Sequence, residues 1–122
     1  MSKILVIDDD LDILSVMEIL LSMRGYNVEV TAKGENTFPK IETFKPDLIL
    51  LDVLISGYDG RVICKQLKSN EETKHIPIIM FSAHPGAAAT IADYGANDFI
   101  SKPFDVDHLL KKVKEQLNLR GN

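Results

Sequence analysis

Four stretches of the chain combine residue types that act on metal ions or phosphate. Asp8, Asp9 and Asp10 stand in a row after the apolar run Ile4–Ile7 in ILVIDDDLDIL, and Asp52 ends a second run in LILLDVLISGYDG. Ser82 closes a third run in IPIIMFS, and Lys102 follows a fourth in DFISKPF. Carboxylates gathered in one place repel, which raises the pKa of some of them and costs stability unless a cation neutralises the group. A hard divalent ion suits such a set: Mg²⁺ favours carboxylate oxygens and water and leaves positions open for phosphate oxygens, whereas Ca²⁺ wants more ligands than these residues offer. With a metal ion and a lysine facing it, Asp52 is the expected nucleophile, able to take a phosphoryl group as an acyl phosphate. That chemistry rests mainly on positioning and electrostatics.

The elements between these residues explain how they would meet. Short, β-branched, apolar runs at Ile4–Ile7, Val28–Thr31, Leu48–Leu51, Ile76–Phe81 and Asp98–Ile100 have the continuous hydrophobicity of buried parallel strands. Helical spacing separates them. Leu11–Met23 repeats apolar residues at Ile13, Val16, Met17, Leu20 and Leu21 and stops at Gly25, and Arg61–Lys68 sets Val62, Ile63 and Leu67 on one side. Val106, Leu109, Leu110, Val113 and Leu117 form a last stripe, with Asp105 as the expected N-cap. The pattern predicts (βα)5, a parallel sheet with right-handed crossovers and helices on both faces. Ligands of such sheets bind outside the carboxyl ends of the strands, where Asp8, Asp9, Asp52, Ser82 and Lys102 all fall.

Composition narrows the function classes. With 122 residues and 45% hydrophobic content, and without linker, repeat or low-complexity tract, one domain over residues 1–122 is expected. A net charge of −4 gives nucleic acid no general attraction, so direct nucleic-acid binding is not expected. No apolar run approaches the ~20 residues that span a bilayer. A single cysteine, Cys64, and no basic segment ahead of an apolar run fit a cytoplasmic setting.

Taken in order, IDDD, LLDVLISGYDG, MFSA and FISKPF resemble the receiver domain of bacterial two-component response regulators, and the resemblance covers essentially the whole chain. It implies a flavodoxin-like doubly wound sheet of order 2-1-3-4-5, phosphorylation by a partner histidine kinase or phosphotransfer protein, and Mg²⁺ as cofactor. Position by position, it makes Asp52 the phosphoacceptor and Asp9 and Asp52 metal ligands. Asp8 would act mainly through water, and the backbone carbonyl of Leu54 would complete the protein ligands. Ser82 would move to hydrogen-bond the phosphoryl group, Lys102 would pair with it, and Phe99 would be the aromatic switch that turns inward as Ser82 moves. Lys102–Pro103 would be a cis peptide. The output face would comprise the fourth helical segment, the fifth strand and the last helix. A phosphorylation-dependent dimer is compatible with this scheme, and no output domain is expected within the chain.

Several residues have plainer roles. Asp10 and Asp12 suit the start of a helix, Asp59 suits a cap or turn beside Gly57 and Gly60, and Cys64 reads as a small buried hydrophobe. His75 and His108 lack metal-ligand spacing and read as surface residues.

Departures from the family pattern are equally specific. Ser56 stands where a proline is usual, which leaves its loop less restricted. Pro39, inside the expected second helix Glu35–Phe44, predicts a late start at Asn36 or Thr37 or a kink. The fourth helix, about Ala87–Tyr94 with Pro85 and Gly86 at its entrance, is predicted to be short and to carry little charge. Leu54 and His84, two residues beyond Asp52 and Ser82, would flank the path of the hydrolytic water. Leu54 offers that water no hydrogen bond, so slow intrinsic dephosphorylation is expected, with His84 able to adjust the rate near neutral pH.

Two rival readings use the same residues. An aspartate-nucleophile phosphohydrolase would need a general acid/base and a substrate-covering cap for which 122 residues leave little room. A non-phosphorylated pseudo-receiver or a flavin-binding relative would share the fold alone. Intact Asp9, Asp52, Ser82 and Lys102 argue against the pseudo-receiver, and the acidic cluster would repel a flavin phosphate.

Overall fold

The computed structural model of the chain describes residues 1–55, 57–84 and 86–119. Five parallel strands form the central sheet: β1 (Lys3–Ile7), β2 (Asn27–Thr31), β3 (Leu48–Asp52), β6 (Ile78–Ser82) and β7 (Asp98–Ser101). Their order is β2-β1-β3-β6-β7, which is the expected 2-1-3-4-5 once the short hairpin β4 (Leu54–Ile55) and β5 (Tyr58–Asp59) is set aside. Every residue of β3 and β6 is buried, as continuous apolar runs covered on both faces require. β6 begins two residues later than expected because Pro77 has no N–H to give a ladder.

Helices α1 (Leu11–Met23) and α4 (Val106–Leu119) cover one face, where Leu14, Met17 and Leu21 meet Leu109, Val113 and Leu117 across Val6, Leu50 and Phe81. α2 (Thr37–Phe44) and α3 (Gly60–Lys68) cover the other, packing Ile41, Phe44, Ile63 and Leu67 against Leu5, Ile49 and Met80. Full burial of each such side chain contributes about 1.5–3 kcal/mol, which makes the two layers the main source of stability. Among the described residues no helix is long and apolar enough to cross a membrane.

Local chemistry sets the helix ends. The Asp10 side chain accepts from the N–H groups of Asp12 at 3.0 Å and Ile13 at 3.4 Å, a cap that starts α1 directly after the acidic run. Gly25 ends it with φ +89°. Asp59 caps α3 through Arg61 N–H at 2.9 Å, and the Asp105 carbonyl accepts the first helical bond of α4 from Leu109. α2 does start late: a single 3₁₀ turn at Gly34–Asn36 precedes it, and Pro39 falls in its first turn, where the missing N–H is needed by no partner.

The expected fourth helix is not an α-helix. Ala87–Ala89 and Ile91–Tyr94 are two 3₁₀ turns, closed by i→i+3 bonds such as Thr90 N–H to Ala87 O at 3.0 Å and Asp93 N–H to Thr90 O at 3.2 Å. At their junction the Thr90 hydroxyl also donates to Ala87 O, at 3.0 Å. A side chain that competes in this way for backbone groups disfavours a continuous α ladder. The expectations attached to Ser56 and Pro85 lie outside the described residues.

Candidate functional site

At the carboxyl ends of β1, β3, β6 and β7 the sheet brings together the side chains expected to do chemistry. β1 and β3 are neighbours, so Asp8 and Asp9, just past Ile7, meet Asp52 at the end of β3. One carboxylate oxygen from each of Asp8, Asp9 and Asp52 lies within 4.8 Å of the other two. Asp8 is fully buried and Asp52 is 6% exposed, while Asp9 faces solvent. Lys102, after β7, reaches both buried acids, with Nζ 2.7 Å from Asp8 Oδ2 and 3.2 Å from Asp52 Oδ2. Its ammonium also lies 4.9 Å from the centre of the Phe81 ring. The backbone holds this arm in place: Lys102 N–H donates to Ser82 O at 2.9 Å, and the Lys102–Pro103 peptide is cis.

Electrostatics follow from that geometry. Burial and the charge of Asp8 push the Asp52 carboxyl up to about 6, and Lys102 only partly offsets them. Burial works against the charge of Lys102 itself but is outweighed by its hydrogen bonds and ion pairs with Asp8 and Asp52, so its pKa rises. One ammonium therefore serves two buried carboxylates.

Of the remaining expected residues, Leu54, Ser82 and His84 line the same place. A cleft of about 380 Å³ is bounded by Asp52, Leu54, Ser82, Ala83, His84 and Lys102. Leu54 is exposed and its N–H faces Asp52 Oδ1 at 3.4 Å. Ser82 is buried, and its hydroxyl accepts from His84 N–H at 3.0 Å. His84 Nδ1 accepts from Gly86 N–H at 3.3 Å. Phe99, opposite Met80 in the β6–β7 register, is half-buried against the core on the α2–α3 side. A larger hollow, about 940 Å³ beside Phe38, Glu42, Asn70 and His75, lies at the other end of the strands and contains none of these residues.

Residues outside the cluster divide as expected. Asp10, Asp12, His75 and His108 are exposed, and Cys64 is fully buried, where burial pushes its thiol up to about 11. Spacing gave no hint of two contacts that shape the loop after Asp52. Arg61 grips the Asp59 carboxylate with Nε at 3.1 Å and Nη2 at 2.9 Å, and the Tyr58 ring lies so close to Gly34 that a side chain there would strike it. In each case the partner lies across the fold or depends on rotamer choice, which the order of residues does not reveal.

Comparison with known proteins decides the family. The family model described as the response regulator receiver domain matches residues 4–114, which contain every site residue named above. The chain belongs to the response regulator receiver domain family. This receiver is 37% identical over 119 residues to the DNA-binding dual master transcriptional regulator RpaA of Synechocystis, a match covering 96% of the chain and 49% of that protein. It is also 37% identical to the alkaline phosphatase synthesis transcriptional regulatory protein PhoP of Bacillus subtilis, covering 92% and 47%. The receiver thus spans about half the length of these curated relatives. Among solved structures it is similar to a response regulator from Chloroflexus aurantiacus, with 34% identity, TM-score 0.91 and coverage of 96% and 98%. The receiver domain of NtrX from Brucella abortus matches with 29% identity, TM-score 0.87 and coverage of 94% and 98%.

Proposed function

We propose that this receiver accepts a phosphoryl group on Asp52, from a histidine kinase, a phosphotransfer protein or a small acyl phosphate, and that the modification switches a protein-interaction surface. The observation that carries this reading is the single ammonium of Lys102 shared between Asp8 and Asp52 on the cleft that Ser82 also lines.

The donor set fits Mg²⁺. It is all oxygen, its members lie within 4.8 Å of one another, and burial together with the charge of Asp8 raises the Asp52 carboxyl, a burden that a cation there would relieve. Asp9, Asp52 and the carbonyl of Leu54 would hold the ion, with Asp8 acting mainly through water. Bound there, Mg²⁺ would neutralise carboxylate charge and bind phosphoryl oxygens.

The protein's own groups perform the rest. A carboxylate oxygen of Asp52 forms the new bond to phosphorus while the bond from phosphorus to the donor's nitrogen or oxygen breaks, and the electron pair leaves with the donor. Lys102 already lies within 3.2 Å of that carboxylate and pairs with the phosphoryl charge once it arrives. Ser82 gives up the bond from His84 N–H to reach a phosphoryl oxygen, and the half-buried Phe99 fills the space that this movement leaves. The readout surface is the segment 87–94 with β7 and α4. Phosphate shifts an existing equilibrium by no more than its differential interaction with the two states.

Intact-mass measurement after incubation with acetyl phosphate tests the reading. One phosphoryl addition is expected in Mg²⁺, none after chelation and none in Asp52→Ala; an addition that survives in Asp52→Ala would overturn it.

A further inference from the structure

Arg61 links two parts of the molecule that flank the Asp52 cleft. Its Nε and Nη2 grip Asp59, while Nη1 donates to the Thr90 hydroxyl at 3.2 Å and the guanidinium lies 5.5 Å from the centre of the Tyr94 ring. A planar fork can hold a carboxylate with one edge and still present another donor, which an ammonium cannot do with the same geometry.

Each end of this contact leads to the site. Asp59 caps α3 and pairs with Leu54 across the β4–β5 hairpin, and Leu54 N–H faces Asp52 Oδ1. The Arg61 contact holds Asp59 below the usual carboxylate range, so the clasp is charged at neutral pH. On the far side, Thr90 is the junction of the two 3₁₀ turns, its hydroxyl already given to Ala87 O. Short 3₁₀ turns have poorer hydrogen-bond geometry than an α-helix and depend more on contacts from outside. α3 packs against the 91–94 turn, with the Arg61 guanidinium beside Tyr94 and its Nη1 bonded to Thr90 just ahead of the turn.

We infer that Arg61 is a positioning residue that couples the loop after Asp52 to the segment 87–94, by a route separate from Ser82 and Phe99. The coupling rests on the phosphoacceptor reading above. A charge added at Asp52 disturbs the Leu54 N–H contact and the strand opposite Asp59. Movement of Asp59 carries the guanidinium with it, and Thr90 and Tyr94 follow.

Amide exchange read by mass spectrometry over residues 87–96 tests this, with the phosphoryl occupancy of each sample taken from its intact mass. In the wild type, exchange across 87–96 changes on phosphorylation. In Arg61→Lys, which keeps the charge and loses the fork, occupancy and thermal stability stay near wild type. Exchange in the unphosphorylated protein rises at least about threefold, and the response to phosphorylation shrinks to the part carried through Ser82 and Phe99. Thr90→Val reproduces that behaviour and Thr90→Ser restores it, a pattern that a general loss of stability would not give. Equal exchange and an intact response in Arg61→Lys would overturn the inference. Should the wild type take no phosphoryl group, the phosphoacceptor reading fails, and the clasp is judged on the unphosphorylated proteins: faster exchange in both variants upholds it and unchanged exchange overturns it.

Discussion

Asp52 is buried beside a second carboxylate, and its charge is a burden on the metal-free fold. Its folded value of about 6 lies above the ordinary 3.8. The stability it contributes is therefore complete below pH 4 and is lost as pH rises through about 6. The shift sets an upper bound of about 3 kcal/mol, reduced by the Lys102 bond that a neutral amide would weaken. Asp52→Asn should accordingly stabilise the protein in a chelator at pH 8, by about 1–2 kcal/mol in a denaturant titration. The gain should shrink as pH falls towards 5, and a variant less stable than wild type at pH 8 would contradict this account. Leu54 is exposed at the cleft, and the proposed reading gives its apolar side chain a part in the phosphoryl lifetime. Leu54→Asn should speed loss of the phosphoryl group about fivefold, the equivalent of one bond of about 1 kcal/mol, measured by the decay of the modified mass. Residue placements set by charge at strand ends and by helix starts were legible in the sequence: Asp8, Asp9 and Asp52 meet, Lys102 reaches Asp8 and Asp52, and Asp10 and Asp59 cap. The division of Lys102 between Asp8 and Asp52 was not, because it depends on distances across 50 and 94 residues of chain.

The hairpin between β3 and α3 is the element that orders the site's rim. Gly60 begins α3 with its N–H on Val53 O at 2.6 Å, and a methyl group there would run into the Asp52 carbonyl. Gly60→Ala should cost about 1–3 kcal/mol and slow phosphorylation of Asp52, because the backbone that must move carries the nucleophile. Unchanged thermal stability and rate in that variant would show that the loop yields freely. The five sheet strands and three of the helices were legible because apolar β-branched runs and 3.6-residue stripes leave strong signals, even though β2 and β7 at the sheet edges are only partly buried. Two features were not. A two-residue hairpin is too short to carry a period, and the alanine-rich 87–94 segment has the composition of a helix while Thr90 and the flanking Gly86 and Gly95 favour turns. Pro39 pointed correctly to a late α2 because its missing N–H restricts where a helix can begin.

Across the whole molecule, the order of the sheet does the decisive work. Placing β1 between β2 and β3, and β6 between β3 and β7, gathers residues from positions 8, 52, 82 and 102 at one end of the strands. The alternation of strands and helices made that topology readable, since right-handed crossovers leave few arrangements for five such units. Partner choice depends on surface complementarity, which leaves no comparable pattern in one chain. Everything proposed for this molecule turns on whether it becomes phosphorylated at Asp52. The most direct measurement is borohydride reduction after incubation with acetyl phosphate and Mg²⁺, followed by peptide sequencing in the mass spectrometer. Reduction of an aspartyl phosphate leaves homoserine, so the account predicts homoserine at position 52 and aspartate at positions 8, 9 and 59. Homoserine at one of those other positions, or a phosphoryl group recovered on Ser82 or His84, would contradict it.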